Sequence, residues 1–179
     1  MKKITDRHSL GFTSGLIGGM CMMLFDWISY SLGWSKRLYS ETAAGVWVNS
    51  KFQTRTFKGH LLGTIMTLAL CMLGGLGKVQ LLTKAGRDNI LQKGLMFGVC
   101  FGAIITGLTS GFAINKVKPK DANSNLSYVA ASGIYGLVTA YIISKLGHNS
   151  LFDQEPLNDY IKPTVETGEE KRNVSIVAK

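Results

Sequence analysis

Leu10–Leu32 reads LGFTSGLIGGMCMMLFDWISYSL, an apolar run with a row of glycines in its first half and one carboxylate, Asp26, in its second. Gly11, Gly15 and Gly19 recur every fourth residue, which places them on one helical face. At about 1.5 Å per residue the run is long enough to cross about 30 Å of hydrocarbon, so it reads as a membrane-spanning helix. Asp26 falls on the glycine face, toward other helices rather than lipid.

The same design recurs along the chain. A second apolar run, 59–76, carries Gly59, Gly63, Thr67, Cys71 and Gly75 at every fourth position. A third, 94–114, repeats the row as Gly94, Gly98, Gly102, Thr106 and Ser110, with Gly107 and Gly111 on a neighbouring face. The fourth, 126–146, holds Ser132, Gly136, Ala140 and Ser144. Lipid offers little hydrophobic drive between helices, so close backbone approach through Gly, Ala, Ser and Thr supplies the packing. Four such glycine-zipper-like rows predict an all-α, four-span antiparallel bundle whose seams are the small residues.

Composition agrees with this reading. A chain of 179 residues with 46% hydrophobic content and 21 glycines suits one domain of packed membrane helices. The net charge of +9 is spread over the segments between the runs, a distribution that suits anionic lipid headgroups. No basic stripe with interleaved aromatics marks a nucleic-acid surface. The expected organisation is a basic N-terminal segment over 1–9, a membrane domain over 10–146 and a polar, disordered tail over 147–179. The first run is too long, and too interrupted by Asp26, for a cleaved signal peptide, so it is expected to be retained.

Between the runs, 33–57 mixes Trp34, Tyr39 and Trp47 with basic residues, as segments in the headgroup layer do. Within it, 40–52 reads either as a short helix lying on the interface or as an ordinary loop. The segment 77–93, with Lys78, Lys84, Arg87 and Lys93, reads as a loop. Basic residues on the two sides are nearly balanced, and the orientation chosen places both termini in the cytoplasm.

Asp26 is the candidate for chemistry, because an ionisable group within a span is costly and functional by default. Its depth in an up-down bundle matches Thr64 on the second run, Thr109 on the third and Ser132 or Tyr135 on the fourth, with His60 about a turn nearer the surface. Three roles stay open: a protonated carboxyl held by hydroxyls, a proton or cation site, or an ion-pair partner of His60. No second histidine stands at i+3 or i+4 of His60, Cys21, Cys71 and Cys100 lack CxxC spacing, and no GxSxG elbow or phosphate loop occurs. The pattern therefore points to no metal, no cofactor and no enzyme.

The stretches Lys93–Gly107, Ser124–Leu146 and GLIGGMCMMLFDWISY resemble a group of small, uncharacterised four-span membrane proteins of Gram-positive, mainly spore-forming, bacteria. The resemblance covers about Leu10 to Leu146. It implies the bacterial plasma membrane and no particular activity. The leading expectation is a non-catalytic membrane protein acting through helix packing, with itself as a homo-oligomer or within a larger membrane complex. The competing expectation is a small oligomeric channel or transporter with Asp26 as a proton or cation site.

Overall fold

The structure is a computed structural model that describes residues 3–87, 89–112 and 121–152. Among these it is all-helical: α1 (Arg7–Ser31), α2 (Tyr39–Trp47), α3 (Lys51–Thr54), α4 (Phe57–Ala85), α5 (Ile90–Phe112), α6 (Ala122–Leu146) and a closing 3₁₀ turn, Asn149–Leu151. Four of these, α1, α4, α5 and α6, are long and apolar enough to cross a membrane, which makes the chain a multi-pass membrane protein.

Side-chain caps start three of the spans. Asp6 accepts from the Ser9 amide at α1, Thr56 from the Gly59 amide at α4 and Asp121 from the Ser124 amide at α6. Gly33, at φ 76°, ends α1, and the Trp34 amide turns back onto the Ser29 carbonyl. That left-handed conformation carries little steric cost only in glycine.

The spans are arranged in the order α4, α1, α6, α5, with neighbours antiparallel; the backbones of α4 and α5 stay apart, and the two meet through side chains, Phe101 on Gly74 and Lys78 on Phe97. Two seams of small residues hold the outer pairs together. A methyl group added to Gly15 would overlap the backbone of Cys71 and Met72, and one on Gly75 would overlap Gly11 and Gly15. Gly19 faces Cys71 and Leu68. On the other pair, Gly94 faces Ala140 and Gly136, Gly98 meets the backbone of Ser132 and Gly136, and Gly102 meets Ser132. The central contact between α1 and α6 is less glycine-dependent: Gly18 meets Thr139 and Tyr135, and the Ser29 and Ser127 hydroxyls bond each other.

Two positions in the second row serve something other than a span. Gly63 lies against the Ser40 carbonyl of α2, and Gly59 against the backbone of Gln53 and Thr54. The helix α2 occupies the opening between α4 and α5, packed mainly on α4 and less on α5. All seven residues Tyr39–Gly45 are buried, so the helix enters the bundle rather than lying on its surface. Ala43, Ala44 and Gly45 are small enough for it to nest on α4, and its polar side chains find tertiary partners, which hides any amphipathic period.

The spans also differ in extent from the apolar runs. The helix α4 continues to Ala85 and α5 begins at Ile90, so most of the segment 77–93 that reads as a loop is helical; Val79 and Leu82 still face the interior. At the same end, Ile4 bonds the backbone of Leu146 and His148, while Leu151 and Phe152 join Leu10, Val79, Leu82 and Ile143 in one apolar cluster. The start of the polar C-terminal segment is thus docked on the bundle, and its remainder, 153–179, lies outside the described residues.

The seams define a measurable distinction. Gly15→Ala and Gly136→Ala should each lower stability by about 1–3 kcal/mol through overpacking, read as a lower unfolding midpoint of the detergent-solubilised monomer. Gly107→Ala should leave that midpoint unchanged, since nothing lies within 4 Å of a Cβ added there. Equal losses at all three positions would contradict the seams.

Candidate functional site

Asp26 is 3% exposed and lies on the α1 face that looks into the bundle. Its Oδ2 accepts a 2.7 Å hydrogen bond from the Tyr39 amide. Tyr39 is the first residue of α2, and the preceding Leu38 provides no side-chain cap. The first-turn amides of a helix lack partners within it and carry its positive dipole end. A carboxylate from α1 therefore serves as the cap that the local sequence lacks. The second oxygen, Oδ1, is buried and has no partner among the described residues.

From Tyr39 the polar contacts run across the bundle. The Tyr39 hydroxyl is 2.9 Å from Ser132 Oγ and donates to the Tyr128 carbonyl at 3.2 Å. The two tyrosine rings stack with centroids 4.1 Å apart. Tyr128 in turn donates its hydroxyl to the Arg37 carbonyl at 3.3 Å, and the Arg37 guanidinium lies 5.1 Å from the ring centre. Arg37, 2% exposed, donates to Asn125 Oδ1. Tyr135 donates its hydroxyl to the Cys71 carbonyl at 2.6 Å.

Of the residues singled out by depth, Ser132 is joined to Asp26 through Tyr39, and Tyr135 lies beyond it. His60 does not pair with Asp26; its Nδ1 is 3.0 Å from Ser40 Oγ, so it secures the next residue of α2. Thr64 is half-buried on α4 and takes no part in the hydrogen bonds described here. Thr109 turns its hydroxyl back to the Ile105 carbonyl of its own helix. Burial pushes the Glu41 carboxyl of α2 above its ordinary range, with Arg55 and His60 drawing it back; Arg55 Nε is 3.8 Å away.

Beside this network a cavity of about 480 Å³, counting its open side, lies between α1, α2, α4, α5 and α6. Met22, Leu70, Cys71, Phe101 and Ile105 make it largely apolar. The hydroxyls of Tyr39, Ser132, Tyr135 and Thr109 at its wall already bond to protein atoms.

Two buried cations are not evident from the sequence pattern. Lys78, fully buried, donates from Nζ to the carbonyls of Gly94 at 2.8 Å, Gly136 at 3.3 Å and Lys93 at 3.4 Å, and lies 4.6 Å from the Phe97 ring centre. It ties α4 to both helices of the opposite seam. The signal available was the apolar period continuing past it in Val79 and Leu82. Arg37 has no such signal, because its partners come from 88 residues away along the chain. No group of three or more His, Cys, Asp or Glu residues that could hold a metal occurs among the described residues.

No protein-family model, curated protein or solved structure matches the chain.

The cap can be tested directly. Asp26→Ala should destabilise the seating of α2 by about 0.5–2 kcal/mol, and Asp26→Asn, which keeps an acceptor, by less. Hydrogen exchange at the Tyr39–Gly45 amides reads the effect, and unchanged protection in the alanine variant would contradict it.

Proposed function

We propose that this protein is a non-catalytic membrane protein that acts by helix-to-helix association, and that α5 presents the contact. The observation that supports this is the unequal use of small residues. The rows of α1, α4 and α6, and the Gly94, Gly98 and Gly102 row of α5, face partners within the chain. By contrast, Ala103, Gly107 and Gly111 form a second every-fourth-residue row on α5 that is exposed, flanked by the exposed Cys100. The α5 span is also the barest, with 17% of its apolar window buried against 39–56% for the other three. A bare small-residue row in hydrocarbon favours close approach of another helix.

A second reading draws on the unpartnered Asp26 Oδ1. A buried carboxylate oxygen with a free lone pair is suited to accept a proton or a cation, as a small oligomeric channel or transporter needs.

Oxidative crosslinking in native membranes, on a Cys21→Ser background, should give a Cys100-linked dimer. Gly107→Leu and Gly111→Leu should reduce it to background while leaving the monomer folded. A crosslink to a heavier species would point to a larger membrane complex, and a chain that stays monomeric would overturn the association. Proton or cation flux in reconstituted vesicles that disappears with Asp26→Asn would favour the second reading instead.

A further inference from the structure

A groove of about 720 Å³, counting its open side, runs between the first turn of α1 and the last turns of α4. Its floor includes Leu76 and Val79, and its outer part is formed by Arg7, His8, Gln80 and Lys84. Leu76 to Lys84 runs from the apolar body of α4 toward its end, so the groove changes from apolar to cationic along the direction in which a bilayer changes from acyl chains to headgroups. The two permanent cations, Arg7 and Lys84, outnumber the one nearby carboxylate, Asp6. Among the described residues, neither Lys84 nor His8 makes a side-chain hydrogen bond or salt bridge. Arg7 reaches the Leu151 carbonyl through one nitrogen, at 3.5 Å, and its Nε is buried without a partner, which leaves the rest of the guanidinium for the groove. Asp6 accepts from the Ser9 amide and lies close enough to His8 to attract it, so it offsets part of this charge and leaves the groove cationic.

We infer that this groove binds an anionic phospholipid, with the headgroup phosphate between Arg7 and Lys84 and the upper part of an acyl chain on Leu76. The chemistry recognised is a phosphate diester, and the apolar floor selects its lipid form over free phosphate. Arg7 supplies the directional hydrogen bonds; Lys84 supplies a mobile point charge. This site is separate from the α5 face and does not depend on the association proposed for it.

The test uses the full chain in mild detergent, titrated with fluorescent phosphatidylglycerol and, separately, fluorescent phosphatidylcholine. Wild type should bind the anionic lipid in preference to the zwitterionic one. Arg7→Gln and Lys84→Gln should each weaken binding of the anionic lipid about five-fold, the effect of one interfacial cation. Arg7→Lys should restore part of the loss, and Lys58→Gln, at the opposite end of α4, should have no effect. Lys84 is exposed, so its variant should remain folded, with circular dichroism and elution volume as controls. If Lys58→Gln weakens binding as much as Lys84→Gln, the attraction is diffuse charge and the site is overturned. Displacement of the lipid by millimolar inorganic phosphate would show a free-phosphate site and would overturn the lipid assignment.

Discussion

Two helices in hydrocarbon gain little by hiding apolar side chains from a solvent that is equally apolar. What remains is contact at short range, and this fold obtains it by removing side chains where backbones meet. At the Gly15–Cys71 and Gly98–Gly136 crossings there is no room for a further carbon atom. The rest of the architecture follows from those two seams. Each binds a pair of spans, α1 with α4 and α5 with α6, and the pairs then meet through α1 and α6. Because the backbones of α4 and α5 stay apart and meet through side chains toward the Lys78 end, an opening remains toward the other end, and α2 occupies it.

Charge within the bundle is managed by the backbone. Asp26 faces a helix amide, and Lys78 faces three carbonyls. Arg37 lies over a ring and against an asparagine. Neutral dipoles face these groups, peptide groups at Asp26 and Lys78 and a side-chain amide at Arg37, without placing two opposite charges in a medium where each is costly to desolvate. The bare backbone of the glycine rows makes part of this feasible: the carbonyls of Gly94 and Gly136 that receive Lys78 belong to the seam itself. The Glu41–Arg55 pair stands where Arg55 is more than half exposed.

The four spans and the small-residue rows were legible in the sequence because both are periodic and local. Gly11, Gly15 and Gly19 share a face whatever they pack against, and an apolar run of twenty residues has few alternatives in water. Partners were less legible. Gly59 and Gly63 share the spacing of the other row members but face α3 and α2, since spacing records that a close approach occurs and not with what. The helix α2 is short, and its burial depends on the Asp26 carboxylate thirteen residues upstream and on Ser132 far downstream. Lys78 hid the continuation of α4, because a charge normally marks the end of a span and its neutralising carbonyls lie on other helices.

The contact between α1 and α6 joins the first span to the last. Gly18 cannot meet Thr139, nor Ser29 meet Ser127, until the whole chain has entered the bilayer. The α1–α4 hairpin can form its seam earlier, and the α5–α6 hairpin can do so independently. The docking of α1 on α6 joins segments far apart in sequence, as do the Ile4 bonds to Leu146 and His148. The fold is thus two hairpins joined across one central contact, and the Ile4 bonds close that join at one end.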